Sequence, residues 1–282
     1  MEAVNMKKFF SLIVVLSLLV AAQPSWARNA GLLVSPTRVV MQNGKRFATV
    51  TVRNNGDATG RYKVELVDTI MNEEGGIKIR EDGSKDEFSA IDMITLSPRS
   101  MTLKPDANQN VRILVRSGED IPDGEYKSHL QIRMTDSNAE PKTEGPTDKG
   151  VGIALQTKMI TVIPIIIRKG ETSYKVSMDD VKLLPPDTTE KSEPKVKVLF
   201  GFSGNRSVLA DVKVVHTAAN GKETQLAFFR GVAIYRGVSK RSQIVPLKVP
   251  AGLDIHKGKL QVSFVSQEDE GSQVLASKDL TP

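Results

Sequence analysis

The chain has 282 residues, of which 39 are Lys or Arg and 33 are Asp or Glu, so its formal net charge is only +6. These charges are interspersed along the chain, a pattern that does not suggest a nucleic-acid partner. The chain has no cysteine, which excludes disulfides, thiol catalysis and cysteine-bound metals. Apolar packing must therefore hold its domains together, and the chain is long enough to build two cores.

The first 27 residues have the three parts of an export signal. Lys7 and Lys8 form a basic start, residues 9–22 form an apolar run, and residues 25–27 form a small-x-small cleavage site. A retained anchor helix is the alternative, but the run is short for a membrane span, and no later segment offers about 18 apolar residues. We therefore expect residues 1–27 to be a cleaved signal peptide and the mature chain to have no membrane span.

Short β-like runs separated by turn residues fill the next part of the chain. Asn43-Gly44 and Glu74-Gly75-Gly76 are typical of the turns. The predicted strands are residues 33–41, 47–53, 61–70, 77–80, 100–103, 110–116, 126–134 and 150–167. No helical period is visible, so regularly spaced strands predict an antiparallel sandwich of the immunoglobulin type.

The start of the last of these runs has one apolar row. Val151, Ile153 and Leu155 alternate with small or polar residues, which is typical of a strand with one apolar face. The run follows a polar loop at residues 135–150 and continues to Lys158, which strict alternation places on the opposite face. Such a row normally faces the core of its own domain, but it could also bind the chain end of another protein.

We predict a domain boundary where the apolar residues 159–167 give way to Arg168. Further β-like runs follow at residues 173–184, 195–203, 210–216, 225–235, 242–249 and 258–266. The prediction is therefore an all-β protein of two immunoglobulin-like β-sandwich domains, residues 28–167 and 168–282, joined by a short connection with a cleft between them.

The sequence offers little for catalysis or metal binding. His129, His216 and His256 are far apart, and no nucleophile elbow or phosphate-binding glycine loop occurs. A single histidine on a strand is more often structural than a ligand. We expect no enzyme activity, no metal and no cofactor.

A series of short motifs resembles the PapD-like periplasmic chaperones of pilus assembly, across nearly the whole mature chain. The motifs are Ser35-Pro-Thr-Arg38, Thr49-Val-Thr-Val-Arg53-Asn54, Tyr62-Lys-Val-Glu-Leu66, Leu96-Ser-Pro-Arg99, Leu103-Lys-Pro105, Asn110-Val-Arg-Ile-Leu-Val115, Pro122-Asp-Gly-Glu-Tyr126, Ser128-His-Leu130, Ile153-Ala-Leu-Gln-Thr-Lys158, Gly204-Asn-Arg-Ser-Val208 and Ala210-Asp-Val212. Each motif is weak alone, and the resemblance rests on their order and spacing.

The resemblance implies two sandwiches set at an angle, in a periplasmic protein that assembles pili without a nucleotide. Pilus (fimbrial) subunits lack their last strand, and the chaperone completes them by donating its own (donor-strand complementation) before delivery to an outer-membrane usher. Val151, Ile153 and Leu155 would be the donated residues. A cleft arginine and a cleft lysine would anchor the C-terminal carboxylate of the subunit and so fix the register. Arg38 matches that arginine.

The lysine of the anchor does not match cleanly. The position of the family's lysine is Ile160 here, and Lys158 lies two residues earlier, about 6–7 Å away along a strand. Either Lys158 replaces it with a shifted register, or Arg38 works with another cation. Taken alone, Arg38 and Lys158 could also be edge-strand charges that point to water. Residues 161–167 replace the family's usual aromatic residue and Arg-Pro, which indicates a divergent branch.

Two other classes of protein remain as alternatives. One is a structural or adhesive immunoglobulin-like module of the cell surface or periplasm, and the other is an enzyme or metal carrier, which would need a ligand or nucleophile cluster. The apolar row from Val151 to Leu155 also raises the hypothesis that the unloaded protein self-associates.

Overall fold

The structure is a computed structural model that describes residues 31–81, 83–116, 121–137, 142–144, 153–155, 159–186, 193–267, 271 and 273–280. Within these residues the regular structure is β, apart from a 3₁₀ turn at Ile91–Met93. Two β-sandwiches follow one another along the chain. The predicted all-β fold of two immunoglobulin-like domains is confirmed.

The N-terminal sandwich packs a four-stranded sheet on a five-stranded sheet. The strands of this half are β1 (Leu32–Ser35), β2 (Val39–Met41), β3 (Phe47–Asn54), β4 (Gly60–Val67), β5 (Thr69–Met71), β6 (Ile77–Ile79), β7 (Ile94–Ser97), β8 (Ser100–Leu103), β9 (Asn108–Val115), β10 (Gly124–Ser137), β11 (Lys142–Glu144), β12 (Ile153–Leu155) and β13 (Ile160–Lys169). The sheet orders are β1-β3-β9-β7 and β2-β13-β10-β4-β8, and the pairs β5–β6 and β11–β12 form separate hairpins.

The C-terminal sandwich has a three-stranded sheet, β14-β15-β18, and a four-stranded sheet, β17-β16-β19-β20. Its strands are β14 (Tyr174–Leu184), β15 (Lys195–Gly204), β16 (Val208–Thr217), β17 (Glu223–Ile234), β18 (Lys240–Pro246), β19 (Lys259–Ser266) and β20 (Val274–Leu280). In β16 every second residue from Val208 to His216 is buried, as expected for a strand with one face on the core.

The structure corrects several predicted strands. The run predicted at 33–41 is two strands, because Pro36 cannot donate to a ladder and the chain crosses there from the first sheet to the second. The run at 61–70 is interrupted at Asp68. The polar segment 135–150 contains the end of β10 and all of β11, and β7 and β20 were not predicted. Of the run at 150–167, residues 153–155 and 160–167 are strand, and residues 150–152 and 156–158 lie outside the described part of the chain.

Each sandwich has its own apolar core. Val50, Tyr62 and Leu130 are fully buried in the first core, and Phe200 and Phe264 are fully buried in the second. A buried side chain of this size stabilises the fold by about 1.5–3 kcal/mol relative to an exposed one. Since the chain lacks cysteine, these cores carry the stability of both domains.

We predict that Phe264→Ala destabilises the C-terminal domain by about 3–5 kcal/mol, because it leaves a cavity in a fully buried site. The ring of Phe264 packs on that of Phe200, with their centroids 4.5 Å apart. Denaturant unfolding measures the loss. The matched control is Phe228→Ala, since Phe228 is 43% exposed and its removal should change the free energy of unfolding by less than about 0.5 kcal/mol. Equal losses for the two variants would contradict the assigned core.

Candidate functional site: a cationic cleft between the domains

The outward face of β10 forms one wall of a cleft between the domains. Leu130 and Ile132 of β10 point into the N-terminal core, so alternation puts Lys127 and His129 on the opposite face. There they meet Tyr235, which follows β17 of the C-terminal domain. The ammonium of Lys127 lies 3.8 Å from the centroid of the Tyr235 ring, and the His129 ring contacts it edge-on at 6.0 Å between centroids.

Arg38 reaches the same place from the crossing between β1 and β2. Val39, the next residue, pairs with Ile165 of β13, and Pro164 of β13 lies opposite His129 of β10. Arg38 is half-buried. Burial lowers the pKa of Lys127 and His129 and raises that of Tyr235, and Arg38 lies close enough for its positive charge to act on all three groups. Arg38 and Lys127 therefore bring two positive charges into one cleft.

Burial controls the charge states in this cleft. It lowers the pKa of Lys127 to about 8, since the half-buried ammonium loses water. The carboxylates of Asp86, Glu125 and Asp68 partly oppose this lowering, and the positive charge of Arg38 adds to it. Burial, and then the charge of Lys127, lower the pKa of His129 to about 4. At neutral pH the cleft therefore holds two cations and a neutral imidazole.

The surroundings of Lys127 and His129 leave polar groups available. Within the described ranges, no carboxylate lies at ion-pair distance from the Lys127 ammonium, whose contact there is the Tyr235 ring. His129 Nδ1 lies 3.2 Å from Thr69 Oγ1, and its Nε2 is buried without a hydrogen-bond partner among the described residues. A partly desolvated cation without an ion-pair contact favours a negatively charged ligand.

A buried ion pair of the N-terminal domain lies beside the cleft, and its carboxylate also contacts the C-terminal domain. Glu125 Oε2 accepts from Arg168 Nε at 3.1 Å, and both side chains are almost fully buried. The other carboxylate oxygen of Glu125 accepts from the Ser207 hydroxyl of the C-terminal domain. Arg236 Nη1 donates to the Glu125 carbonyl at 2.9 Å, and the Arg236 guanidinium stacks 3.5 Å from the Phe88 ring centroid.

A row of hydrogen bonds on the core side of β10 supports the cleft wall. Ser128 Oγ donates to Asp68 Oδ1 at 2.6 Å and accepts from the Ala90 amide at 2.9 Å. The Asp86 amide donates to Asp68 Oδ2 at 2.9 Å. These bonds hold two carboxylates, those of Asp68 and Asp86, near Lys127 without pairing it.

The structure brings only part of the predicted site together. Arg38 lies in the cleft, whereas Val151 and Lys158 fall outside the described residues. Ile153 and Leu155 lie in β12, which pairs with β11 so that Leu155 is opposite Lys142.

Ile160, which occupies the position of the family's lysine, is not in the cleft. It is 49% exposed and lies opposite Arg133 on β10. That is four residues before Pro164, or about 13 Å along the strand.

Lys127 and Tyr235 are the residues that the sequence reading missed. A signal for Lys127 exists, because Glu125, Lys127 and His129 alternate with core residues along one strand. A row of three titratable groups on one face of a strand indicates a candidate binding surface. Tyr235 belongs to the other domain, and no pattern in one sequence predicts which residues two domains bring together.

In the described part of the chain, no cluster of His, Asp or Glu is arranged to hold a metal ion. No helix among these residues is both long and apolar enough to cross a membrane.

Comparison with known proteins gives a family match for the first domain. Residues 31–168 match the family described as "Pili and flagellar-assembly chaperone, PapD N-terminal domain". No curated protein sequence matches the chain significantly.

Among solved structures, the E. coli chaperone DraB is 15% identical, with 89% of this chain and 96% of that chain aligned at a TM-score of 0.44. The SafB chaperone complex with SafA pilin from Salmonella enterica gives 15% identity, 90% and 97% coverage and a TM-score of 0.43. The CsuC–CsuE chaperone–tip adhesion subunit complex from Acinetobacter baumannii is 9% identical, with 89% of this chain and 97% of that chain aligned at a TM-score of 0.44. The resemblance seen in the sequence motifs is confirmed by the family match, which assigns residues 31–168 to the family of PapD N-terminal domains.

Proposed function

We propose that this chain is a periplasmic chaperone that caps pilus subunits by donating a β-strand and delivers them to an outer-membrane usher. Residues 1–27 would be its cleaved signal peptide, and residues 28–167 and 168–282 its two domains. The chaperone family of residues 31–168 supports this proposal, as does the row of Val151, Ile153 and Leu155. The observation that carries the proposal is that Arg38 lies near enough to the buried Lys127 ammonium for their charges to interact.

The open edge of β13 explains why a carboxylate would arrive at this cleft. Among the described strands, β2 pairs with β13 only at Ile165–Ile167, so no ladder partner covers the same edge from Ile160 to Pro164. A subunit strand could add to this edge, because unpaired edge amides and carbonyls accept another chain. It would have to stop where β2 begins, and Arg38 lies at that point.

A subunit strand on this edge would end where β2 begins if its own C-terminus lies there. The C-terminal carboxylate of the subunit would meet the Arg38 guanidinium, which can bind it with two hydrogen bonds, and the Lys127 ammonium. Lys127 thus takes the role of the second cation, for which the sequence offered Lys158 or an unnamed residue. Fixing the chain end fixes the register, so that Val151, Ile153 and Leu155 face the subunit groove.

We predict that Arg38→Ala and Lys127→Met each weaken subunit binding by about 2–5 kcal/mol, at least about thirtyfold in Kd, since each removes one charge partner of a partly buried carboxylate. The test purifies the tagged protein from periplasm in which the exported β-proteins encoded beside it are co-expressed, and weighs the intact complex. Arg99→Ala and Lys104→Met are matched controls, because both residues are exposed in the turns flanking β8.

A one-to-one complex that both cleft variants lose and both controls keep supports the proposal. Equal complex yield in all four variants contradicts the anchor role. A monomer despite abundant subunit contradicts the chaperone function itself and favours the structural or adhesive surface module.

We also predict that subunit affinity falls as the pH rises above about 8. The pKa of Lys127 in the free protein is about 8, and a bound carboxylate favours the charged ammonium and so raises that pKa. Affinity is therefore complete below pH 8 and declines between the free and the bound pKa. Titration of complex formation from pH 6.5 to about 9.5 measures this decline. Lys127→Arg should remove it, since a guanidinium stays charged throughout; an unchanged decline in Lys127→Arg would contradict the assignment to Lys127.

A further inference from the structure

The β5–β6 hairpin of the N-terminal domain has a tightly bonded tip. The tip consists of residues 72–76, and Asn72 organises it: its side-chain oxygen accepts from the Gly76 amide at 2.6 Å, and its carbonyl accepts from the Gly75 amide at 3.0 Å. Gly75 has a φ of +77°, which glycine adopts without strain. The hairpin forms its own two-stranded sheet, and such a sheet is marginal in water without other contacts.

The contact that supports this hairpin belongs to the other domain. The Glu73 carbonyl accepts from the Ser242 amide at 2.7 Å and from Arg241 Nη1 at 3.4 Å. Ser242 and Arg241 lie in β18, the outermost strand of its sheet. An N-terminal hairpin tip thereby satisfies a backbone donor on the open edge of a C-terminal strand.

The buried Arg241 side chain packs against the hairpin tip. It is only 7% exposed and donates to Gln243 Oε1 at 2.7 Å. A Cβ atom on Gly75 would lie 2.1 Å from Arg241 Nη2, so the guanidinium packs directly on the glycine backbone. The side chain of a larger residue at position 75 would push Arg241 away.

The hairpin also begins at the cleft. Thr69, its first residue, contacts His129 Nδ1, and His129 contacts Tyr235. The contact of Glu73 with Ser242 therefore adds a point of attachment between the domains to those of Glu125 with Ser207 and of Lys127 and His129 with Tyr235. One point of attachment permits rotation between two bodies, whereas additional points restrict it.

We propose that the hairpin tip, residues 72–76, is an interdomain lock that fixes the orientation of the two domains, with Arg241 as its positioning residue. The lock sets the distance between the Lys127 wall and the Tyr235 wall of the cleft without taking part in ligand contacts. It is a property of the free protein and does not depend on the proposed chaperone function.

Two glycines with nearly the same backbone allow a matched test. Gly75→Ala introduces left-handed strain and displaces Arg241. Gly44→Ala introduces the same kind of strain, since the φ of Gly44 is +79°, but nothing lies within 4 Å of its added Cβ. Arg241→Gln is the third variant; it leaves the hairpin backbone unstrained and decides the matter if Gly75→Ala does not fold.

The first measurement is the interdomain distance distribution by electron–electron double resonance. The chain has no native cysteine, so Lys104→Cys and Lys222→Cys, both at exposed sites, carry one spin label in each domain. We expect a single narrow distribution for the parent chain and for Gly44→Ala, and its loss to a broad one in Gly75→Ala and Arg241→Gln. Distributions as narrow as that of the control in both variants would overturn the proposal.

Amide hydrogen exchange at Ser242 provides a second, local measurement. The Ser242 amide should be protected in the parent chain and in Gly44→Ala, because the Glu73 carbonyl accepts its hydrogen bond, and should lose that protection in Gly75→Ala. Retained protection together with a narrow distance distribution in Gly75→Ala means that the tip and the domain orientation do not depend on the Arg241 contact.

Discussion

Burial of the Lys127 ammonium near Arg38 is the condition on which the proposed function depends, although the carboxylates of Asp86, Glu125 and Asp68 partly offset its effect on Lys127. Burial and the charge of Arg38 both lower the pKa of Lys127, which means that the free protein pays for holding the ammonium there. An arriving carboxylate relieves both costs at once, since it neutralises the pair and replaces lost water. In the proposed function, the site for a chain end is thus already prepared in the free protein by the burial of Lys127.

The crossing of the first strand between the two sheets builds this site. Because Pro36 ends β1, the chain leaves one sheet and pairs with β13 in the other only from Val39 onward. This short pairing leaves the edge of β13 open from Ile160 to Pro164 and puts Arg38 where the open edge ends. Glu125, paired with Arg168, and the tip of the β5–β6 hairpin then hold the second domain against the same place. The open edge of β13 and the position of Arg38 therefore have a single origin, the crossing of the first strand from one sheet of the N-terminal sandwich to the other.

Most of this fold follows from local pattern in the sequence, whereas the site follows only in part. Alternation and turn residues predict strands such as β8 and β9 well, since one face of each is buried. The strand β7 was missed because it has only four residues and Pro98 follows it directly, and β20 was missed because none of its side chains is fully buried. Arg38 was identified through the family motif, but its position outside a strand depends on the change of sheet at Pro36.

Lys127 shows where prediction from one sequence stops. Lys158 was predicted as the anchor because it is close to Ile160 along the chain. The cation that we propose beside Arg38 is Lys127 of the neighbouring strand β10, where it is opposite Ile166. Strand pairing and domain contact decide which charges meet, and both are long-range properties. The same holds for Tyr235 and Arg241, which act on the cleft from the second domain.

The measurement that tests the central claim most directly uses the subunit, with the chaperone unchanged. Two glycines added after the last residue of a co-expressed subunit would move its carboxylate about 7 Å further along the strand, past the position where Arg38 and Lys127 can bind it. The account predicts that the extended subunit is lost from the purified complex while the natural one is retained. Equal recovery of both subunits would contradict the claim that the cleft binds the chain end.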